Sequence, residues 1–338
     1  MLRMSVIMIA MLGMVLVSGC GEGEEAAELT VTPSPTVSPA SPTVTGTIAS
    51  SPTLASATPA ETAEASVPVG KIVFNSRRTG DYEVFLLTPE GEVRLTNNPA
   101  EDENPDLSPD GEKVVFASNR EDGYHIYVMN VDGSGLTKLT DHRFGDHSPR
   151  WSPDGERIAF SRTGAIMVMD ADGSNVREVT EPKLEATAPP CEAGAFLGDW
   201  SPDGKQLTFY AASATRGLGQ VCTVNVDGSD LTVVVSEPLG YHVEPSWSPD
   251  GEWIAYRSIR EKNHEIYKVK PDGTSDTNLT NNPATDLEPY WSPDGKWIVF
   301  GSDRESVAMD LYIMSADGSN VARLTTNPGK DSDPSWGP

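Results

Sequence analysis

The stretch HSPRWSPDGERIAFSR, His147–Arg162, recurs in modified form along a chain of 338 residues. Its Trp-Ser-Pro-Asp-Gly core precedes an apolar run, and the arrangement returns as DWSPDGKQLTFY from Asp199, SWSPDGEWIAYR from Ser246 and YWSPDGKWIVFG from Tyr290. A variant, DLSPDGEKVVFA, begins at Asp106. The equivalent prolines are separated by 44, 49, 47, 44 and 45 residues, and they are Pro109, Pro153, Pro202, Pro249, Pro293 and Pro338.

Each repeat has the pattern of four short β-strands joined by turns. In Ser-Pro-Asp-Gly, proline presets the backbone of the first central turn position, aspartate suits the second, and glycine adopts the left-handed conformation that follows. A second turn such as DADGSN, Asp170–Asn175, precedes the fourth strand. A helix-loop-helix calcium loop would need more oxygen ligands, a distant Glu and flanking helices, so we interpret both segments as hairpin turns. A period in the forties with four strands is typical of one β-propeller blade.

The strand count predicts a closed ring. Six first strands end at Leu107, Trp151, Trp200, Trp247, Trp291 and Trp336. Six second strands begin near Lys71, Glu112, Glu156, Lys205, Glu252 and Lys296. Because the two sets are out of phase, the C-terminal strand would complete the N-terminal blade and leave few exposed edges. We therefore predict an all-β fold, a six-bladed β-propeller of four-stranded blades over residues 69–338, in which the recurring Trp packs between blades.

The repeat units resemble those of a known family. The patterns PxWSPDGxxIAFxS and IYVMxxDGSxxxxLT are similar to the WD-like repeats of TolB-like β-propellers, and the resemblance covers residues 69–338. It implies a protein of the bacterial cell envelope, because the TolB propeller is the periplasmic part of the Tol–Pal system. It also implies protein binding without catalysis, since that propeller docks a peptidoglycan-associated lipoprotein.

The N-terminal segment predicts export. Residues 1–19 have one Arg near the start and an apolar run too short for a confident membrane span, which is the form of a signal peptide. The sequence LVSGC, Leu16–Cys20, resembles a bacterial lipobox and implies lipidation of Cys20. Acyl chains would anchor the protein to a lipid bilayer, at the periplasmic side or the cell surface. The alternative is an ordinary secretory signal that is cleaved nearby.

Residues 20–68 predict a disordered stalk, acidic at first and then rich in Thr, Ser and Pro. Of the 39 residues from 30 to 68, 23 are Thr, Ser or Pro, and none is Lys, Arg or aromatic. Such a segment cannot bury enough apolar surface to fold. We therefore expect residues 20–68 to act as a spacer between the membrane and a single propeller domain. We also expect the protein to be a monomer.

Composition limits the partners. With 25 basic and 50 acidic residues, the chain has a formal net charge of −25, which argues against nucleic acid as a partner. An acidic surface favours cations or basic peptides, and it also aids solubility without any ligand.

The sequence contains three cysteines. With Cys20 lipidated, Cys191 and Cys222 remain, and an exported location permits a disulfide between them. The predicted blade geometry brings the loop before a first strand and the start of a third strand to the same face, so we favour the Cys191–Cys222 disulfide over two unpaired thiols.

The sequence contains none of the common catalytic motifs. The sequence has no Gly-x-Ser-x-Gly, His-Glu-x-x-His, Cys-x-x-Cys or phosphate-binding glycine loop, so we predict no catalytic residues. One position does recur, three residues before each inward proline, and its occupants are Asp102, Asp146, His242, Asp286 and Asp331, with Ala195 in the third repeat. These side chains would form a ring at the channel mouth. The ring would bind a cation such as Ca²⁺ or a basic ligand, or each Asp would hydrogen-bond its own loop.

Three functions are consistent with these features. We favour a non-catalytic, membrane-tethered binding module that recruits a protein or an envelope polymer at a propeller face. The alternative is a propeller lyase or other carbohydrate-active enzyme that uses channel-face carboxylates with His147 or His242. A structural envelope component without a specific small ligand is the third.

Overall fold

The computed structural model describes residues 70–181, 191, 194–212, 219–236, 240–260, 263–305 and 307–338. This part of the chain contains 24 strands and no helix, and the predicted all-β propeller is confirmed. Nothing helical in it is therefore long and apolar enough to span a membrane. The predictions for the signal peptide, for Cys20 and for the stalk concern residues outside the described ranges.

Four separate sheets have four strands each. The first contains, in spatial order, β24 (Asp331–Gly337), β1 (Lys71–Ser76), β2 (Glu83–Thr88) and β3 (Gly91–Arg94). The second contains β4 (Asp102–Leu107), β5 (Lys113–Glu121), β6 (Gly123–Asn130) and β7 (Thr137–Lys138). The third contains β8 (His147–Trp151), β9 (Arg157–Arg162), β10 (Ala165–Asp170) and β11 (Arg177–Glu178). The fourth contains β20 (Asp286–Trp291), β21 (Trp297–Ser302), β22 (Asp310–Ser315) and β23 (Ala322–Arg323).

The other eight described strands belong to one continuous sheet. They are β12 (Gly194–Trp200), β13 (Gln206–Ala212), β14 (Gly219–Asn225), β15 (Thr232–Val235), β16 (Tyr241–Trp247), β17 (Ile254–Ile259), β18 (Glu265–Val269) and β19 (Thr277–Asn278). The two halves of this sheet join through a single parallel pair, Gly219 with Tyr241, while β15 pairs with β14 alongside. The separate four-stranded sheets in the described chain therefore number four, not the predicted six.

The turn chemistry that the sequence predicts is confirmed in atomic detail. In the third sheet, the Ser152 hydroxyl accepts the N–H of Arg157 at 2.9 Å, and Asp154 Oδ1 accepts the N–H of Glu156 at 3.0 Å. Gly155 has φ of 70°, a conformation that an L side chain rarely adopts. The donated hydrogen bonds also lower the pKa of Asp154, chiefly the one from Ser152. Asp154 therefore has the turn role that the sequence predicts.

The first strands share a bulge immediately before the inward proline. The residue at this position has φ between 51° and 57° in five first strands, and the residues are Asn104, Ser148, Glu244, Glu288 and Asp333. The register of each pairing shifts at the same place. A proline has no N–H for the ladder, so a bulge is where a strand tolerates it. The irregularity turns the backbone N–H groups of Glu288 and Asp333 towards neighbouring first strands.

Hydrophobic clusters fill the spaces between sheets and between the two halves of the eight-stranded sheet. Among the described residues there are six such clusters. In one of them, Trp151 packs with Val115 and Ile126 of the preceding sheet and with Phe160 of its own. The recurring Trp therefore packs between sheets, as predicted, and Leu107 takes its place in one cluster.

Candidate functional site

The aspartates of the predicted ring are buried ion-pair partners. Asp146 is fully buried and accepts two hydrogen bonds from Arg162, at 2.6 and 2.9 Å. The same pairing recurs in the other three separate sheets, as Asp102–Arg120 (2.8 Å), Asp286–Arg304 (2.9 Å) and Asp331–Arg78 (2.9 Å). In these three, the arginine Nε also donates to a serine hydroxyl two residues earlier. Each guanidinium lies over an aromatic ring as well, for example Arg120 over Tyr127 at 4.8 Å.

His242 occupies the same position in the eight-stranded sheet without an ion pair. Its Nδ1 shares a hydrogen bond with the hydroxyl of Ser258 at 2.9 Å, while Arg260 pairs with Asp276 at 2.7 Å. Burial, together with the nearby positive charge of Arg260, lowers the pKa of His242 to about 4. The imidazole is therefore neutral at neutral pH. Ala195, the sixth member of this set, is buried and apolar.

These residues do not converge on a shared ligand position. Within the described ranges, no group of three or more His, Cys, Asp or Glu side chains could hold a metal ion. Each ring carboxylate instead neutralises an arginine of its own sheet. The arginines are the partners that sequence reasoning missed, although the pattern Ser-x-Arg at the end of the second strand recurs as Ser76–Arg78, Ser118–Arg120 and Ser302–Arg304. A cation at this ring stays a prediction.

A second set of carboxylates links neighbouring first strands next to the bulge. Glu244 Oε2 accepts the N–H of Glu288 at 3.0 Å, and Glu288 Oε2 accepts the N–H of Asp333 at 2.6 Å. Arg257 pairs with Glu244 at 2.8 Å. Burial, together with the negative charge of Glu288, raises the pKa of Asp333 to about 8. The chain of carboxylates thus contributes to backbone linkage across three first strands.

A cavity of about 380 Å³ lies where the first strands end, at the face that carries the Ser-Pro-Asp-Gly turns. We call this end the turn face and the opposite end the loop face. The cavity wall contains the Trp and Pro of each Trp-x-Pro segment, with Leu107 in place of Trp in one of them. Asp106, Asp199 and Tyr290 also line it, each one residue beyond the inward proline or its counterpart Gly198.

The two aspartates of this cavity are held by neighbouring strands. Asp106 Oδ2 accepts the N–H of Trp151 at 2.7 Å, and its Oδ1 accepts the hydroxyl of Ser335 at 2.6 Å. Asp199 Oδ2 accepts the N–H of Trp247 at 3.1 Å. Each carboxylate therefore bonds the backbone of the next first strand, which fixes its position at the cavity.

One arginine serves both aspartates. Burial, and after it the negative charge of Asp106, raises the pKa of Asp199 to about 7, against the opposing positive charge of Arg150. Burial likewise raises the pKa of Asp106, again against Arg150. The hydroxyl of Tyr290 also donates to Asp106 at 3.3 Å. When both carboxyls are ionised, their negative charge exceeds the positive charge of Arg150 by one unit.

The predicted disulfide is confirmed. Cys191 and Cys222 are bonded, with Cα atoms 6.0 Å apart, and both are buried in the cluster that contains Trp200 and Phe209. The bond ties the segment before β12 to the third strand of the same repeat.

Comparisons with known proteins agree with this geometry. The sequence profile of the TolB beta propeller domain matches residues 47–190 and 162–338. The Tol-Pal system protein TolB of Francisella tularensis is 29% identical over 217 residues, which are 62% of this chain and 48% of that protein. This chain therefore aligns with about half the length of that relative.

Solved structures share the fold. A putative TolB from Agrobacterium tumefaciens has a TM-score of 0.60 at 24% identity, over 77% of this chain and 90% of that one. An oligogalacturonate lyase in complex with manganese has a TM-score of 0.51 at 18% identity, over 76% of this chain and 74% of that one. At these identities the likeness concerns the fold alone. Since the family profile matches well over half of its length, this chain belongs to the TolB β-propeller domain family.

Proposed function

We propose that this chain is a non-catalytic binding scaffold of the bacterial envelope. The observation that carries the proposal is the state of its channel carboxylates. Asp102, Asp146, Asp286 and Asp331 each neutralise an arginine, and Glu244 and Glu288 accept backbone N–H groups. Groups held in this way stabilise the ring and are not set up as general acids or bases. Membership in the TolB propeller family supports protein partners in general.

The ring itself is proposed to have six sectors closed by the C-terminal strand. The two halves of the eight-stranded sheet meet at only one residue pair, Gly219 with Tyr241, which supports counting them as two blades. Closure is supported by the pairing of β24 with β1 and by the hydrogen bond from the N–H of Leu107 to the Ser335 hydroxyl at 3.3 Å. A chain that ends before Asp331 would lose this strand, and we expect its thermal unfolding midpoint to fall sharply.

Membrane attachment through Cys20 is the second part of the proposal. Its support is the LVSGC sequence and the apolar segment before it. Expressed in a bacterial host with radiolabelled palmitate, the full-length chain should incorporate label and fractionate with membranes. The Cys20→Ala variant should do neither, whereas label in that variant would contradict lipidation at this residue.

Recruitment of an envelope partner is tested by crosslinking in cells. A photoreactive amino acid placed on each propeller face of the full-length chain should capture the same protein or polymer repeatedly from one face. Capture that is equal from both faces and varies between preparations would contradict a specific scaffold.

An enzyme of the lyase type is the alternative, favoured by the shared fold with the oligogalacturonate lyase. His147 and His242 were its predicted residues. The His147 ring packs against that of Tyr124 with centroids 4.5 Å apart and the two planes tilted by 43°, and His242 is fully buried. Turnover of oligogalacturonate in the presence of Mn²⁺, followed by the ultraviolet absorbance of the unsaturated product, would establish the enzyme and overturn the scaffold. The absence of product across a panel of acidic glycans would support the scaffold.

A further inference from the structure

The turn-face cavity lies at the opposite end of the first strands from the predicted ring. The ring aspartates stand at or just before the start of their strands, for example Asp146 before β8, whereas the cavity begins at the strand end, at Trp151. Its volume of about 380 Å³ falls in the range of pockets that bind small molecules or single side chains. The cavity is therefore a separate candidate for binding.

Its inner part is acidic and rigid. Asp106 and Asp199 are both held by hydrogen bonds to backbone N–H groups of neighbouring strands, so their carboxylates cannot move away from a ligand without breaking those bonds. Arg150 is the basic residue that interacts with both, and its own Nε donates to the carbonyl of Gly198 at 3.2 Å. A positively charged ligand would neutralise the remaining negative charge of the two ionised carboxylates.

The rim repeats the same charge. An exposed aspartate follows the cavity-lining proline in each complete Ser-Pro-Asp-Gly turn, and these residues are Asp110, Asp154, Asp203, Asp250 and Asp294. Three of them form ion pairs, Asp154 with Arg157, Asp203 with Lys205 and Asp294 with Lys296. Among the described residues, Asp110 and Asp250 have no such pair, so the unbalanced rim charge is theirs. The Oδ1 atoms of the rim aspartates are occupied by the turn, as in Asp110 and Asp250, which accept backbone N–H groups of Glu112 and Glu252. The wall between rim and inner carboxylates is apolar, formed by proline and tryptophan. An elongated side chain with an apolar stem and a cationic head fits this cavity, because the stem would contact the apolar wall and the head would contact the inner carboxylates.

We propose that the turn-face cavity binds a basic peptide segment by admitting a lysine or arginine side chain towards Asp106 and Asp199. The proposal rests on the scaffold function above and names the face and the chemistry of the partner. The apolar stem of the side chain packs along the wall, the cationic head meets the two carboxylates, and further basic residues of the peptide meet the rim. Anionic partners are excluded by the same charges.

Binding at this site should depend on pH, because it is coupled to the ionisation of Asp199. Asp199 has a pKa of about 7 and faces Asp106, Arg150 and, through Asp106, Tyr290. A cation in the cavity favours the ionised carboxyl and lowers this pKa. Peptide binding therefore releases a proton, and affinity rises as the pH increases from about 6 to about 8.

The test measures binding of a fluorescein-labelled tri-lysine peptide with blocked termini to the full-length, detergent-solubilised protein by fluorescence anisotropy. We expect binding that weakens with salt and strengthens with pH through 7, and a tri-glutamate peptide that does not bind. The Asp199→Asn variant should lose about tenfold in affinity and most of the pH dependence. If Asp199→Asn fails to fold by circular dichroism, the exposed rim variant Asp110→Asn/Asp250→Asn provides the same test through a loss of affinity.

A matched control lies on the outer hairpins. Asp132 and Asp172 accept the backbone N–H of Ser134 and Ser174 in turns that do not line the cavity, so Asp132→Asn/Asp172→Asn should keep the parent affinity. Equal loss in the control and rim variants, the absence of tri-lysine binding, or binding of free spermidine but not of the peptide would each overturn the proposal. Crosslinking to an envelope partner that persists in the Asp199→Asn and rim variants would overturn this site and leave the scaffold function intact.

Discussion

The four separate sheets and the eight-stranded sheet differ in the links that they form near the start of their first strands. In each separate sheet, a buried aspartate at the first strand pairs with an arginine near the end of the second strand. In the eight-stranded sheet those aspartate positions hold Ala195 and His242, and neither side chain forms an ion pair with a residue that the structure describes. That sheet instead has the Cys191–Cys222 disulfide and a direct backbone pair between its halves.

The difference teaches that one position in a repeat can lose its polar role when other links replace it. A buried ion pair is costly to break but adds little net stability compared with an apolar replacement. An apolar residue at this position, such as Ala195, has no charge to bury and therefore no desolvation penalty. The disulfide and the direct backbone pair then restrain the eight-stranded sheet.

Removal of one ring carboxylate should have the largest effect. Asp286→Ala leaves Arg304 buried without its carboxylate, and we expect a loss of about 3–5 kcal/mol in the free energy of unfolding, measured by urea denaturation. The control is Asp141→Ala, which breaks the exposed pair with Lys138 and should leave the unfolding midpoint almost unchanged. Equal small losses in both variants would show that the Asp–Arg pairs do not distinguish the separate sheets.

Loss of the disulfide should destabilise the eight-stranded sheet nearly as much. The bond closes a segment with a sequence separation of 31, so Cys191→Ala/Cys222→Ala should lose about 3–4 kcal/mol in the chain-entropy description. A reducing agent should lower the urea midpoint of the parent protein and leave that of the double variant unchanged. A parent midpoint that does not respond to reduction would contradict a stabilising role for the bond.

The buried carboxyl of Asp199 should make stability depend on pH. Its pKa of about 7 lies above the usual value, so the folded state keeps a proton that the unfolded chain has already lost. The contribution of Asp199 to stability is therefore fully present below about pH 4 and is lost progressively as the pH rises through about 7. Asp199→Asn should flatten this part of the stability–pH curve, and an unaltered slope in the variant would refute the assignment.

Restoration of the missing aspartate should have the smallest effect. Arg260 Nε already donates to the Ser258 hydroxyl at 3.1 Å, as the equivalent arginines do in three separate sheets. His242→Asp would place a carboxylate beside it and should stabilise the fold by about 1 kcal/mol, measured by thermal unfolding. His242→Asn, which has a similar shape and no charge, should bring no such gain, and a gain of the same size would show that the ion pair is not the cause.

Much of the fold could be predicted from the repeats, because turn residues and strand alternation act over a few neighbouring residues. The hairpin role of Asp154 and the inter-sheet role of Trp151 followed from the pattern alone. The disulfide followed from the relation between two loops of one repeat. The continuous sheet did not, since the Gly219–Tyr241 pair depends on how closely two halves approach.

The candidate site was predictable only in part. Asp102 and Asp146 were identified by their spacing before a proline, but their arginine partners were not. Asp106 and Asp199 were not identified, because the position after the inward proline or its glycine counterpart varies among repeats and carries no pattern. Their importance arises from the cavity that they share.

By itself, the sequence determined an all-β propeller with strands that end in tryptophan and turn through Ser-Pro-Asp-Gly, because these preferences are local and recur with every repeat. Only the tertiary structure decided which charges meet. Asp331 and Arg78 lie 253 residues apart, and Asp106 contacts Ser335 across 229. Such contacts depend on strand register and on the packing of whole sheets, since burial turns a nearby opposite charge into a required partner.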